Sequence, residues 1–307
     1  MPDIISIGAY PKVDRAALAG MGAVPFATLE EALAMDDRDS VRAIACIAVR
    51  LDAATMDAFP NLGIIANCMV GYDSIDVKAA RERGIAVTNT PDVLNDDVAD
   101  LAVALLFAQA RGMVQADAHV RTGAWATEFF PLNRKVSGGT VGILGLGRIG
   151  QEIADRLAAF KMDIHYWSRS EKETPGWTYH ADPVSLAHAV DFLIVACVGG
   201  PETRDIVSSE VIEALGKDGV IVNISRGSTI DEAALLDALE NGRLAGAGLD
   251  VFENEPAPNP RFTKLDNVVL QPHQASATHA TRAAMGQLQR DNIAAFLKGE
   301  PLLTQVN

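Results

Sequence analysis

The chain has 307 residues, 49% of them hydrophobic and 21% charged, enough for two domains with full cores. A formal net charge of −14 opposes a phosphate backbone and argues against nucleic-acid binding. No apolar run approaches a membrane span and no basic region precedes one at the N-terminus. Cys46, Cys68 and Cys197, odd in number and set in apolar stretches, read as reduced thiols of a cytoplasmic protein.

From the start to about residue 98, short apolar runs alternate with helical patches. Ile4–Ile7, Ala43–Val49, Ile64–Ala66 and Ile85–Val87 predict strands, with helices near 14–18, 29–34, 53–58 and 77–83. That alternation implies a parallel sheet covered by helices, and it lacks a glycine fingerprint. Asp97 to Arg111 is a helix apolar nearly all round, where the first domain crossing is expected. Arg121 to Ser137 reads as a loop with Trp125, Phe129 and Phe130, either a lid, a subunit contact or local packing.

The alternation restarts at 140, with strands expected at 140–144, 163–167, 191–197, 219–224, 246–251 and 267–271, and a closing helix at 287–297. The fold expected is α/β, with a doubly wound dinucleotide-binding domain over 99–286 and a substrate domain from 1–98 and 287–307.

Between the first of these strands and a helix at 151–160 stands Gly145-Leu146-Gly147-Arg148-Ile149-Gly150. In a strand–turn–helix unit Gly145 permits the tight turn. Gly147 lets backbone approach a pyrophosphate, and Gly150 lets helix pack on strand. The helix N-terminus then faces the phosphates. The second strand ends at Trp167, where an acidic residue would hold the ribose hydroxyls of NAD(H). Ser168, Arg169 and Ser170 stand there instead, a set that suits a 2′-phosphate and so favours NADP(H), with NAD(H) also possible; a solvated turn is the plain alternative.

Three later strand ends carry chemistry. Arg226 follows the strand ending at Ile224 and can hold a carboxylate by two parallel bonds. Asp250 ends the next strand and Glu255 lies in the loop after it. His273 follows the last. Together they specify reduction of a 2-oxo acid: Arg226 binds the carboxylate, His273 protonates the keto oxygen as hydride arrives, and Glu255 favours the imidazolium. The other five histidines read as structural. No HExxH or CxxC points to a metal.

Across nearly its whole length the sequence resembles the D-isomer-specific 2-hydroxyacid dehydrogenases. The likeness runs through Gly71-Tyr72-Asp73, Asn89-Thr90-Pro91, Val98-Ala99-Asp100, the glycine turn, Asn223 to Gly227, Leu249 to Pro256 and Pro272-His273. It implies a Rossmann cofactor domain inserted in a flavodoxin-like substrate domain, with the active site in the cleft between them, and a homodimer. It carries the catalytic Arg, Glu and His onto Arg226, Glu255 and His273, and the nicotinamide-carboxamide acid onto Asp250. Further cofactor contacts fall on Cys197, Ile224 and Ser225, besides Arg226, His273 and the turn itself. Substrate contacts fall on Met69, on the loop of Val70 and Gly71, whose backbone N–H groups take the carboxylate, and again on Arg226 and His273.

Gly199-Gly200-Pro201 and Gln274 to Thr278 look like the NADPH-preferring reductases of glyoxylate, hydroxypyruvate, 2-ketogluconate or aryl pyruvates. Met69 departs from the glycine usual at its position and puts a bulky side chain beside the carboxylate loop. Glu255 argues against formate dehydrogenases, which carry Gln there. The chain is too short for the regulatory domain of many phosphoglycerate dehydrogenases. A reading of another class is an NAD(P)H-sensing binding protein like the family's corepressors.

Overall fold

The computed structural model describes residues 2–307. The chain parts into two units, one running to Leu94 and resuming over Ala277–Asn307, the other spanning Asn95–Ser276. The sequence reading put the crossings at 98 and 286, inside helices. The structure puts them just before two helices, Asn95–Ala110 and His279–Lys298, each of which lies whole within one unit. A division inside either would cut a continuous backbone hydrogen-bond ladder.

The first unit holds strands β1 (Ile4–Ile7), β2 (Val24–Phe26), β3 (Ala43–Cys46), β4 (Ile64–Asn67) and β5 (Ala86–Thr88), all parallel, in the order β2-β1-β3-β4-β5. This is the flavodoxin-like order. Register sets Ile44 against both Ile5 and Ile65, and β1, β3 and β4 are buried along their whole length. A parallel sheet covered on both faces requires such unbroken apolar strands. Helix His279–Lys298 lies on β3 and β4, the ring of Phe296 filling the space a side chain at Gly63 would occupy.

The second unit holds β6 (Thr140–Leu144), β7 (Asp163–Trp167), β8 (Thr178–His180), β9 (Phe192–Val195), β10 (Val220–Asn223), β11 (Gly246–Leu249) and β12 (Val268–Leu270). Their order is β8-β7-β6-β9-β10-β11-β12, the 3-2-1-4-5-6 order of a Rossmann sheet with a seventh strand added. The strand order reverses between β6 and β9, and ligands of such sheets bind beyond the carboxyl ends there. Helix Asn95–Ala110 lies against β10 and β11. Glycines at 246 and 248 make this close: a Cβ on Gly248 would press on Leu105, and one on Gly246 on Gln109.

Several elements escape the sequence reading, the helices Pro183–His188, Ser209–Leu215 and Glu232–Glu240 among them. β2 and β8 are three-residue edge strands with little burial. Met113–Arg121 is a helix with no buried residue, and Ala124–Ala126 adds a 3₁₀ turn inside the expected loop. The closing helix starts at His279, eight residues before the expected 287, because the Thr278 hydroxyl caps it by accepting the Thr281 N–H. Among the described residues no helix is long and apolar enough to cross a membrane.

Candidate active site

The glycine turn leaves β6 at Leu144. Gly145 has φ +110°, and a Cβ on it would meet the backbone of Ala196 and Cys197 at the end of β9. A Cβ on Gly150 would strike the Gly145 carbonyl oxygen, so the helix start sits directly on the turn. Gly147 has open space around it, and no side chain caps helix Arg148–Ala159. Two glycines are therefore consumed by packing and one leaves a cradle beside uncapped N–H groups. A dinucleotide pyrophosphate fits that cradle. Leu146 turns inward and is buried, while Arg148 is exposed.

β7 is followed by Ser168, Arg169 and Ser170, with no carboxylate among these three. Ser168 is buried and its hydroxyl donates to the Ser170 carbonyl at 2.6 Å; Arg169 and Ser170 are exposed. The buried Tyr166 hydroxyl fixes the rest of this turn, donating to the Lys172 carbonyl at 3.0 Å and accepting its N–H at 2.9 Å.

After β10 the chain makes a tight turn organised by Asn223. Its amide donates to the Arg226 carbonyl at 2.9 Å, and its Oδ1 accepts the Ser225 N–H at 3.0 Å. The Ser225 hydroxyl donates to the Cys197 carbonyl, tying this turn to the end of β9. Ile224 is buried beside it. Burial pushes the Cys197 thiol up to about 11, so it remains a thiol. The Arg226 side chain lies over Gly199, where a Cβ would collide with its Cγ, and its guanidinium donates to the Ser225 carbonyl at 2.8 Å.

Asp250, at the end of β11, is fully buried. Its oxygens accept the Gln274 and Ala275 N–H groups at 2.8 and 3.0 Å, and its carbonyl accepts the His273 N–H at 2.8 Å. Burial pushes its carboxyl up and the two N–H bonds pull it down; it stays above the usual aspartate value. These bonds hold His273 at φ +50°, a left-handed conformation uncommon for a side-chain-bearing residue.

The His273 ring meets Glu255 at 2.6 Å between Nδ1 and Oε2, while Glu255 Oε1 accepts the Phe252 N–H at 2.9 Å. Burial raises the Glu255 carboxyl. The bonds from His273 and Phe252, with the charges of His273 and Arg226, outweigh it and hold the carboxyl below the usual glutamate range. The pair borders a cavity of about 290 Å³ walled mainly by Phe252, Pro256, Pro258, Leu270 and Pro272. Gly227 brings the two loops together, since a Cβ there would enter the backbone of Phe252 and Glu253. One edge of one sheet thus gathers a guanidinium, a carboxylate and an imidazole.

A match to the family model "D-isomer specific 2-hydroxyacid dehydrogenase, NAD binding domain" covers residues 103–275. The chain belongs to this family. Over 255 residues, 83% of the chain and 82% of the relative, this dehydrogenase is 49% identical to a hydroxyphenylpyruvate reductase of Plectranthus scutellarioides. It is 48% identical over 251 residues (82% of the chain, 81% of the relative) to a 2-ketogluconate reductase of Gluconobacter oxydans. A similar solved structure is an NADPH-dependent glyoxylate/hydroxypyruvate reductase from Sinorhizobium meliloti in complex with NADP and malonate. It has a TM-score of 0.95 and 46% identity, covering 99% of this chain and 96% of that one. The dehydrogenase is an oxidoreductase that uses a nicotinamide cofactor and has 2-oxo acid reductases as relatives.

Met69, Val70 and Gly71 belong to the other unit, on the loop after β4. Sequence reading gave no role to Asn67, Asn89, Asn223 or Tyr166. Each acts through bonds to backbone some residues away, which no spacing rule encodes.

Proposed function

We propose that the protein reduces a small 2-oxo acid of the glyoxylate or hydroxypyruvate type to the D-2-hydroxy acid with NADPH. The observation that carries this reading is the Glu255–His273 pair, bonded at 2.6 Å within reach of the Arg226 charge. Arg226 takes the substrate carboxylate with its planar donors and draws electron density from the neighbouring carbonyl. In the other unit, the Val70 and Gly71 N–H groups are donors suited to a carboxylate. Glu255 holds Nδ1, which leaves Nε2 of His273 to give its proton to the keto oxygen. The nicotinamide supplies the hydride.

The unit carrying the glycine turn is the cofactor domain, and the unit of β1–β5 the substrate domain. Gly145 to Gly150 hold the pyrophosphate; Cys197, Ile224, Ser225 and Asp250 line the nicotinamide side. Ser168, Arg169 and Ser170, without a carboxylate among them, support the preference for NADP(H). Trp125, Phe129 and Leu132 are 65%, 98% and 101% exposed, and such apolar exposure supports a homodimer. Three free thiols suit the cytoplasm, and the net charge of −14 supports no nucleic-acid partner.

The mainly apolar cavity beside His273 supports a second reading, an aryl-pyruvate substrate. A panel of glyoxylate, hydroxypyruvate, 2-ketogluconate and 4-hydroxyphenylpyruvate, each with NADPH and NADH, decides among them. The expected result is faster NADPH oxidation with glyoxylate or hydroxypyruvate; inactivity across a broad panel sinks the proposal. His273→Ala should lower turnover by ~100-fold or more as loss of a general acid. Unchanged turnover removes His273 from the mechanism.

A further inference from the structure

The loop after β4 is short, and the carbonyls of residues 69–71 all have partners. The Met69 carbonyl accepts from the Thr90 N–H at 3.1 Å and from the Asn67 amide at 3.3 Å. The Gly71 carbonyl accepts from the same Asn67 amide at 2.8 Å, and the Val70 carbonyl from the Asn89 amide at 2.9 Å. Among the described residues the N–H groups of Val70, Gly71 and Tyr72 meet no acceptor. The two facts have one cause. In a trans peptide the C=O of one residue and the N–H of the next point in opposite directions. Drawing back three successive carbonyls turns the next three N–H groups outward together, and successive outward N–H groups form an anion-binding concavity.

The two asparagines are built to hold this state. Asn67 ends β4 and is 3% exposed, and Asn89 follows β5 at 8%. Asn89 is fixed in turn by Thr304, whose hydroxyl donates to its carbonyl at 2.6 Å. Thr304 is held by Asn292, fully buried on helix His279–Lys298, through a 2.9 Å side-chain bond. The carbonyls are therefore clamped from the sheet and, through the C-terminal segment, from a helix.

We propose that Asn67 and Asn89 are positioning residues for the substrate carboxylate. They fix the orientation of three peptide planes so that the N–H groups of Val70, Gly71 and Tyr72 face the anion before it arrives. This rests on the 2-oxo acid reading above. Without the clamps a carbonyl can rotate toward the site and repel the carboxylate. The loss falls on binding the anion, common to ground and transition states, rather than on the chemical step.

The test is steady-state NADPH oxidation by wild type, Asn67→Ala and Asn89→Ala, with inhibition by oxamate as an equilibrium readout of anion binding. Each variant should raise KM for the 2-oxo acid and Ki for oxamate together, by about tenfold, as for a lost charge-orienting hydrogen bond. Turnover at saturation and KM for NADPH should stay within about twofold. Should Asn67→Ala fail to fold, Asn89→Ala decides alone. Unmoved KM and Ki in a folded variant overturn the proposal, as does a fall in turnover with an equal rise in KM for NADPH. Wild type inactive on every 2-oxo acid overturns the reading beneath it instead; wild type active with unmoved variants overturns only the clamp.

Discussion

Glu255 works with both oxygens. One takes the Phe252 N–H and fixes the loop; the other takes the His273 ring. The carboxyl is held below the ordinary glutamate range, which sets a pH dependence with a definite sign. In the unfolded chain it titrates near ~4.3. Between that value and the lower folded one the unfolded chain binds the extra proton, so stability from this group is complete above about 4.3 and is lost as pH falls through the folded value. Thermal unfolding of wild type and Glu255→Gln should therefore show a gap that holds above about pH 4.3 and narrows as the pH falls below it. A gap that ignores pH would mean Glu255 is not held ionised by its neighbours. Solvent screening limits its size, for the His273 and Glu255 side chains are 32% and 33% exposed.

At the scale of elements, the site exists because glycines let loops touch. Gly227 starts the turn after Arg226 and lies against the backbone of Phe252 and Glu253. Backbone cannot move aside as a flexible side chain can. Gly227→Ala should cost about 1–3 kcal/mol in urea unfolding. It should lower turnover further than that loss explains, since it parts Arg226 from the Glu255 loop. A variant with wild-type stability and rate would show that the contact does not position the site.

The main elements were legible in the sequence because buried parallel strands are continuous apolar runs; β1, β3, β6, β7, β9, β10, β11 and β12 fall within expected segments, and β4 and β5 each run one residue past theirs. β2 and β8 were not, being short edge strands without such runs. Met113–Arg121 buries no residue, so it has no apolar face for periodicity to reveal.

In the whole molecule each unit has its own apolar core, one around Ile7, Ile44 and Ile65, the other around Leu193, Ile221 and Leu249. Trp125, Trp167 and Trp177 all lie in the second unit, so tryptophan fluorescence reports that unit's unfolding. NADPH at about 100 times its Kd should stabilise the unit it binds by roughly 2.7 kcal/mol. The fluorescence midpoint in urea should rise accordingly. A midpoint that NADPH leaves in place would remove the glycine turn from cofactor binding.

The sequence alone determined the family, the two-sheet α/β architecture and the strand ends that carry Arg226, Glu255 and His273, because these are properties of local pattern and chain order. Only the tertiary structure decided how those ends are held: Asp250 fixing the backbone of His273, Asn223 folding the Arg226 turn, and Asn67 with Asn89 drawing back the loop carbonyls. The Asp250–His273 and Asn89–Val70 bonds join segments distant in the chain, and the local Asn223 and Asn67 bonds depend on the path the backbone takes through each turn; spacing along the chain records neither.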